Sequence, residues 1–211
     1  NGNIEDEIAA IEQRHLDLAS ALGVKDNVFG AEFQSLRQLI DGVCLVGEVS
    51  PRIHARVMAT GELLATALGA AYLQTQNLPV HWRDARELLQ SETQPDQTER
   101  SRILSANCSY QPQGNLQAEL SALDGFIITQ GFIARSIAGD TVLLGRGGSD
   151  TSGAYLAALL QARRLEIWTD VPGFFSSDPK AVPSARLLRR LHYREAQEIA
   201  SAGGGILHPR S

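Results

Sequence analysis

Lysine is almost absent from this 211-residue sequence, in which arginine supplies nearly all of the positive charge. Only Lys25 and Lys180 occur, so a phosphate contact that requires an ammonium group has two candidates. The net charge is -5, which argues against the basic face that binding to nucleic acid requires. We therefore expect no nucleic-acid partner.

Cysteine and long apolar runs are scarce as well. Cys44 and Cys108 are too far apart to form a metal-binding knuckle and too few for a disulfide scaffold, so we expect both to be reduced thiols in the core. No apolar run reaches the roughly 20 residues of a membrane span. The acidic start of the chain, residues 1–7, differs from the basic start of an export signal. These features predict a cytoplasmic protein with no membrane partner.

Hydrophobic residues make up 43% of the sequence, which is enough for one core, and we expect a single domain over residues 1–211. Apolar residues recur at helical spacing over residues 4–22 and 33–44. Ser50-Pro51 predicts the N-cap and first turn of a third, longer helix that reaches Ala71 or beyond. The first half of the chain is therefore expected to be mainly helical.

Short apolar stretches predict strands at residues 79–82, 103–104, 125–128, 131–134, 141–144 and 165–168. A turn at residues 138–140 suggests that two of these strands form a hairpin. Residues 91–101 are polar and rich in turn formers, so we expect an exposed loop there. The alternation of strands and helices predicts an α/β sandwich with a largely parallel sheet, whose ligands bind at the carboxyl ends of strands.

A glycine-rich turn, G-R-G-G-S-D at residues 145–150, connects a predicted strand to a predicted helix. Its three glycines let backbone N–H groups approach an oxyanion, and the helix N-terminus adds partial positive charge. Ser149 is expected to be the N-cap, Arg146 adds a planar cation, and Asp150 adds a carboxylate on the first helical turn. The spacing matches neither a Walker loop nor a dinucleotide-binding loop. From these residues alone, the turn is either an oxyanion-binding loop or a tight strand-to-helix connection.

Three further motifs stand at residues 61–66 (G-E-L-L-A-T), 168–180 (W-T-D-V-P-G-F-F-S-S-D-P-K) and 204–209 (G-G-I-L-H-P). Together with G-R-G-G-S-D-T at residues 145–151, they resemble the kinase domain of aspartokinases, within the amino-acid kinase superfamily. The resemblance covers residues 28–211. It implies a three-layer α/β/α sandwich around a largely parallel sheet, with acceptor-binding elements at about residues 50–150 and nucleotide-binding elements at about residues 164–211.

The resemblance implies that the protein phosphorylates L-aspartate with ATP to give 4-phospho-L-aspartate, the first step of lysine, threonine and methionine synthesis. Mg2+ would be held mainly by the nucleotide phosphates, and no protein residue is predicted as a metal ligand. Arg146 would pair bidentately with a carboxylate of the acceptor, and Asp150 would organise the transfer site. Hydrogen bonds to the acceptor would come from Gly147, Gly148 and Ser149.

Glu62 is the acidic residue of the second motif. In a helix otherwise made of Leu, Ala and Thr, a glutamate is either a solvated face residue or a functional group whose burial needs a partner. The resemblance favours the second reading, because the matching G-E-L of aspartokinases lines the amino-acid pocket. Glu62 would meet the α-ammonium group of the acceptor.

The resemblance also implies a nucleotide site. Thr169 and Asp170 would contact the nucleotide, Phe175 would lie against adenine, and Lys180 would reach the phosphates. Family members commonly carry tyrosine and arginine at the last two positions, so the stacking and the charge are kept while a hydroxyl and a planar fork are lost. From the residues alone, a simple turn at Asp170 and the following Pro172-Gly173 is the favoured reading.

The sequence departs from the family in two places. Gly205 stands where family members carry a nucleotide-contacting lysine, and the family's N-terminal K-F-G-G-T strand, whose lysine stabilises the transferring phosphate, does not occur. We therefore expect an internal piece of an aspartokinase, inactive alone, whose open sheet edge favours a homo-oligomer. Two alternatives stay open: a kinase for another amino acid such as glutamate or acetylglutamate, or a non-catalytic ligand-binding fragment or regulatory subunit.

Overall fold

A computed structural model describes residues 2–178 and 180–201, in which helices alternate with short strands. The helices are α1 Gly2–Ala21, α2 Gly30–Val46, α3 Pro51–Thr75, α4 Ala85–Leu88, α5 Glu99–Leu104, α6 Gly114–Ser121, α7 Gly148–Leu159 and α8 Tyr193–Ser201. The strands are β1 Val80–Trp82, β2 Ser91–Glu92, β3 Asn107–Cys108, β4 Phe126–Ile128, β5 Ile133–Arg135 and β6 Thr141–Leu143. A 3-10 helix, Asp26–Phe29, connects α1 to α2. The predicted α/β class is confirmed.

The three helices predicted for the first half of the chain are all present. α2 ends at Gly47, whose φ of 74° is left-handed and whose N–H donates to the carbonyl of Val43 at 2.7 Å, an arrangement that glycine adopts without strain. α3 begins as predicted: the Ser50 hydroxyl accepts the N–H of Ile53 at 3.3 Å, and proline occupies the first turn. Both helix ends therefore follow directly from local sequence.

α3 is shared by two hydrophobic cores. On one face, Ala55, Ala59 and Leu63 pack in a core with residues of β5, β6 and α7. These side chains are mostly small, so neighbouring elements approach the helix closely. On the other face, Leu64 and Leu68 pack with residues of α1, the 3-10 helix and α2. The position of α3 relative to β6 is thus fixed by packing on both sides.

The described strands pair as three two-stranded sheets. β1 and β4 are parallel, with Val80 opposite Phe126, while β2 pairs with β3 and β5 pairs with β6 in antiparallel register. The β5–β6 pair is the predicted hairpin, and Gly139 in its turn has a φ of 91°. The parallel pairing expected of the fold is represented among these residues by β1 and β4.

The strand predicted at residues 103–104 is wrong, because these residues end α5. The Thr98 hydroxyl accepts the N–H of Ser101 at 3.2 Å and caps the helix, and Ile103 is buried on one helical face. A two-residue apolar pair cannot distinguish the last turn of a short helix from a strand. The predicted exposed loop at residues 91–101 is correspondingly shorter, since β2 opens it and α5 begins at Glu99.

The strand predicted at residues 165–168 is also wrong, because this segment has no regular secondary structure. A strand must pair its backbone N–H and C=O groups with a neighbour, and no strand within the described ranges pairs with this segment. Trp168 is 89% exposed. The high β-propensity of residues 165–168 is therefore not sufficient to form a strand.

The two cysteines lie in different environments. Cys108 is buried as predicted, and burial, together with the charge of Glu92, raises the pKa of its thiol to about 12, so the thiol is unreactive. The prediction that Cys44 lies in the core is wrong, because this residue is on the exposed face of α2. None of the helices that the structure describes is both long and apolar enough to cross a membrane.

Candidate functional site

The glycine-rich loop leads from β6 directly into α7. Gly145 and Gly147 have φ values of 76° and 66°, in the left-handed region that other residues rarely adopt. The N–H of Gly148 donates to the carbonyl of Gly145 at 3.1 Å and closes the turn. The loop is therefore a tight turn whose shape depends on glycine.

The prediction that Ser149 caps this helix is wrong. α7 begins at Gly148, and Gly147 is its N-cap. The N–H and the hydroxyl of Thr151 donate to the carbonyl of Gly147 at 3.0 and 2.9 Å, which anchors the first turn one residue earlier than expected. Ser149 consequently lies on the first helical turn and is exposed, where its hydroxyl is accessible to a ligand.

The start of α7 is suited to an anion. The first N–H groups of a helix have no acceptor within the helix, and its dipole places partial positive charge there. Arg146 is exposed and forms no ion pair with any carboxylate of residues 2–178 and 180–201. Asp150 is half-buried on the first turn. A cation, N–H donors and a carboxylate therefore occupy one turn, as predicted.

The segment that follows β4 packs tightly against this helix start. A Cβ atom on Gly131 would lie 2.9 Å from Cα, Cβ and Oγ of Ser149, and one on Gly148 would lie 2.6 Å from the ring of Phe132. The hydroxyl of Ser152 accepts the N–H of Phe132 at 2.8 Å and donates to the carbonyl of Gly148 at 2.7 Å. Only glycine at both positions permits this approach.

Glu62 lies in α3 and is half-buried. Burial raises the pKa of its carboxyl group, because the charged form loses solvation. One turn later, the hydroxyl of Thr66 donates to the carbonyl of Glu62 at 2.8 Å and accepts the side-chain amide of Gln130 at 2.7 Å. Since Gln130 precedes Gly131, the Glu62 turn of α3 and the start of α7 both contact residues 130–131.

Two polar residues of this segment, Thr129 and Gln130, were not among the predicted site residues. Gln130 is 1% exposed, and its carbonyl oxygen accepts the N–H of Ala85 at 2.7 Å. Thr129 has a buried hydroxyl without a hydrogen-bond partner in the part of the chain that the structure describes. The pair Thr129-Gln130 directly follows the apolar strand β4 and is followed by Gly131. This position at the end of a strand is the signal that could have found both residues.

The residues predicted to hold the nucleotide lie on a separate stretch. Thr169 and Asp170 are exposed, and the Thr169 hydroxyl accepts the N–H of Val171 at 3.0 Å. Phe175 is half-buried and forms an isolated antiparallel bridge with Leu187. The local bonds at Thr169 are those of a turn.

Lys180 belongs to the same stretch and is exposed, and its N–H donates to the side chain of Asp178 at 2.9 Å. The stretch begins beside α7, where Leu165 lies 3.2 Å from the position that a Cβ atom on Gly153 would take. Within the described ranges, no hydrogen bond or ion pair joins its four predicted residues to the glycine-rich loop. Gly205 and the motif at residues 204–209 lie outside the described residues.

A groove of about 290 Å³ lies at the N-terminal end of α3. Arg52 in this groove pairs with Glu99 at 3.3 Å and with Asp140 at 3.1 Å, so the charge of Arg52 is already paired. It is about 15 Å along the helix axis from Glu62. The groove is therefore separate from the Glu62 turn of α3.

Comparison with known proteins gives sequence relatives over most of the chain. The sequence is 32% identical over 188 residues to the lysine-sensitive aspartokinase 3 of Escherichia coli (strain K12), a match that covers 83% of this chain and 39% of that protein. It is 36% identical over 182 residues to a bifunctional aspartokinase/homoserine dehydrogenase of Haemophilus influenzae, with 86% and 21% covered. The chain thus spans well under half the length of these relatives.

The fold is also similar to that of solved structures. The crystal structure of E. coli aspartokinase III in complex with aspartate and ADP superposes with a TM-score of 0.79 at 30% identity, covering 100% of this chain and 46% of that one. The resemblance to aspartokinases that the motifs predicted is confirmed. The model of the amino acid kinase family matches residues 3–211. Because this match takes in nearly the whole chain, the chain belongs to the amino acid kinase family.

Proposed function

We propose that the full-length protein transfers the terminal phosphoryl group of ATP to the side-chain carboxylate of L-aspartate, which gives 4-phospho-L-aspartate for lysine, threonine and methionine synthesis. One observation carries the proposal: the start of α7 and the Glu62 turn of α3 contact the same two residues, 130–131. One short segment thereby holds both the groups that would bind a carboxylate and the group that would bind an ammonium ion. A small amino acid has this pair of charges.

The acceptor side of the proposal assigns a role to each residue. The guanidinium group of Arg146 pairs with a carboxylate through two parallel hydrogen bonds, and the backbone of Gly147 and Gly148 with the hydroxyl of Ser149 adds donors. Glu62 receives the α-ammonium group. This cation offsets the desolvation that raises the pKa of the Glu62 carboxyl group.

Asp150 organises the transfer site and does not act as a base, since an acceptor carboxylate is already ionised near neutral pH. Phosphoryl transfer depends mainly on positioning and charge neutralisation, which the residues above supply. The similar structure of E. coli aspartokinase III contains aspartate and ADP, which supports the assignment of aspartate as the acceptor and of ATP as the nucleotide.

The nucleotide side of the proposal assigns ATP to Thr169, Asp170, Phe175 and Lys180. Mg2+ usually binds phosphates together with one or two carboxylates and keeps several waters. The described part of the chain holds no cluster of three or more His, Cys, Asp or Glu side chains suited to a metal. Mg2+ carried by the nucleotide would neutralise phosphate charge at the transfer site.

The test is a magnesium-dependent hydroxamate assay on the full-length protein, which traps acyl phosphates. L-Aspartate, L-glutamate and N-acetylglutamate are offered separately with ATP. We expect hydroxamate from aspartate and at least tenfold less from the other two. Product from glutamate or acetylglutamate without product from aspartate would show that the protein is a kinase for another amino acid. Binding of nucleotide without any product would support a non-catalytic role.

We further propose that the protein is a cytoplasmic homo-oligomer. β1 and β4 form a two-stranded parallel sheet in which Phe126 is 59% exposed, and exposed strand edges promote association between chains. Light scattering of the full-length protein should give a multiple of the monomer mass. The monomer mass at micromolar concentration would contradict the oligomer, and recovery of the protein in a membrane or export fraction would contradict the location.

A further inference from the structure

Gln130 is a deeply buried polar side chain near the proposed acceptor site, with 1% of its surface exposed. Its carbonyl oxygen accepts the N–H of Ala85 at the start of α4, and its amide nitrogen donates to the hydroxyl of Thr66 in α3, each at 2.7 Å. The next residue, Gly131, lies against Ser149 of α7. One side chain and its neighbour thus connect three helices.

The orientation of the Gln130 amide is determined by its partners. A backbone N–H can only donate, so the carbonyl oxygen must face Ala85. The Thr66 hydroxyl has one hydrogen, which it donates to the carbonyl of Glu62 at 2.8 Å, and it therefore accepts from Gln130. Its second acceptor site receives the indole N–H of Trp82 at 3.1 Å. Reversal of the amide would break both hydrogen bonds.

We propose that Gln130 is a positioning residue of the acceptor site. Through Thr66 it fixes the turn of α3 that carries Glu62, and through Gly131 it fixes that turn relative to Ser149 and the start of α7. The distance between the ammonium-binding and carboxylate-binding groups then depends on its two hydrogen bonds. This inference rests on the proposed function, because it concerns how that site holds an amino acid.

The test replaces Gln130 by methionine in the full-length protein, which keeps the length and apolar volume of the side chain and removes both hydrogen bonds. We expect the KM for aspartate to rise at least tenfold while the KM for ATP stays within threefold. Gln117→Met is the matched control, since the Gln117 amide donates to the carbonyl of Leu160 at 2.8 Å, near the C-terminal end of α7. In the control, both KM values should stay within threefold.

A second variant separates positioning from general loss of stability. Thr66→Val removes the hydroxyl that accepts from Gln130 and keeps the side-chain shape, so it should raise the aspartate KM selectively as well. The double variant should lose less than the product of the two single effects, because both substitutions break the same hydrogen bond. If Gln130→Met does not fold, Thr66→Val alone decides the question by the same comparison of the two KM values.

The inference is overturned by an aspartate KM within threefold of wild type, or by equal rises for aspartate and ATP. Its failure is distinguishable from failure of the proposed function, which shows as absence of aspartyl hydroxamate from the wild-type protein. If the wild type phosphorylates another amino acid, the same comparison is made with that acceptor. If it phosphorylates none, calorimetric titration with aspartate replaces KM, and unchanged affinity in both variants overturns the inference.

Discussion

Arg146 is the exposed cation of the glycine-rich loop, and its role can be tested by a change that keeps the charge. Arg146→Lys replaces a planar fork by a point charge. We expect a loss of about 2 to 4 kcal/mol of transition-state stabilisation, or about 30- to 1000-fold in aspartate kcat/KM. Steady-state kinetics on the full-length protein measure this loss.

The nucleotide requirement should change little in the same experiment, since Arg146 is assigned to the acceptor. A change of less than threefold in aspartate kcat/KM would remove Arg146 from the site. Equal losses for both substrates would show that the substitution disturbs the loop as a whole, which would leave Ser149 and Asp150 as the better-supported contacts.

Glu62 gives a prediction that depends on pH. Burial raises the pKa of its carboxyl group, so the folded protein keeps this proton to higher pH than the unfolded chain does. Stability is therefore lost as pH rises from the unfolded pKa through the raised folded pKa. Glu62→Gln removes the charge, and its Tm relative to wild type should increase as pH rises above the ordinary pKa of glutamate, while aspartate affinity falls.

Thermal unfolding across this pH range, with calorimetric titration of aspartate, measures both effects on the full-length protein. Glu99→Gln is a suitable control, because Glu99 pairs with Arg52 at the surface and its loss should leave aspartate affinity unchanged. A Tm difference that is independent of pH would show that the Glu62 charge is not its source. Unchanged aspartate affinity would remove Glu62 from the acceptor site.

For single residues, the sequence singles out the groups that we propose to touch a ligand but not the groups that hold them. Arg146 and Glu62 stand in motifs whose residue types indicate their chemistry. Gln130 gave no such signal, because its role comes from hydrogen bonds to residues 64 and 45 positions earlier in the chain. Ser149 was assigned as N-cap from its residue type, whereas the left-handed Gly147 sets the helix start.

Among the elements, the β4–β5 connection and α7 form a contact that leaves no room for a Cβ atom on Gly131. Gly131→Ala places a Cβ atom 2.9 Å from the backbone of Ser149, so the helix start must shift. We expect a loss of about 1–3 kcal/mol in unfolding free energy, as for other overpacked sites, together with a lower aspartate kcat/KM. Urea unfolding and the hydroxamate assay measure the two effects.

Gly69→Ala is the matched control for this substitution. Gly69 lies inside α3, and a Cβ atom there would meet nothing within 4 Å. Alanine in a helix interior is favoured over glycine by about 0.5–1 kcal/mol, so this variant should be more stable than wild type with unchanged kinetics. If Gly131→Ala behaved in the same way, the close packing between residue 131 and α7 would be wrong.

Element prediction succeeded where the local sequence contains both a pattern and a boundary. α3 has its Ser50 cap and a long apolar repeat, and the β5–β6 hairpin has a glycine in its turn. It failed where a short apolar run lacked such context. Residues 103–104 end a helix whose cap lies at Thr98, and residues 165–168 have strand composition but no strand to pair with among the described residues.

For the whole molecule, the chain spans 39% of E. coli aspartokinase 3 and 46% of the aspartokinase III structure. We expect residues 1–211 alone to form no hydroxamate under conditions in which the full-length protein is active. The physical reason is that the proposed nucleotide-binding stretch is weakly packed: Trp168 is 89% exposed, and within the described residues the side chains of Thr169 and Asp170 bond to near neighbours in sequence.

The hydroxamate assay, run on both proteins at equal molar concentration, measures this difference. Turnover by residues 1–211 within threefold of the full-length protein would contradict it. Activity that returns when the remaining part of the protein is added separately would support the view that the nucleotide site needs further packing.

We propose that one amino acid binds between the Glu62 turn of α3 and the start of α7. The most direct measurement is a crystal structure of the full-length protein with aspartate and ADP. We expect a carboxylate of aspartate within about 3 Å of Arg146 and of the first N–H groups of α7. The ammonium group of aspartate should lie at Glu62, and ADP should lie beside Asp170. Aspartate bound instead in the groove at Arg52, or at the glycine-rich loop without contact to Glu62, would contradict this binding site.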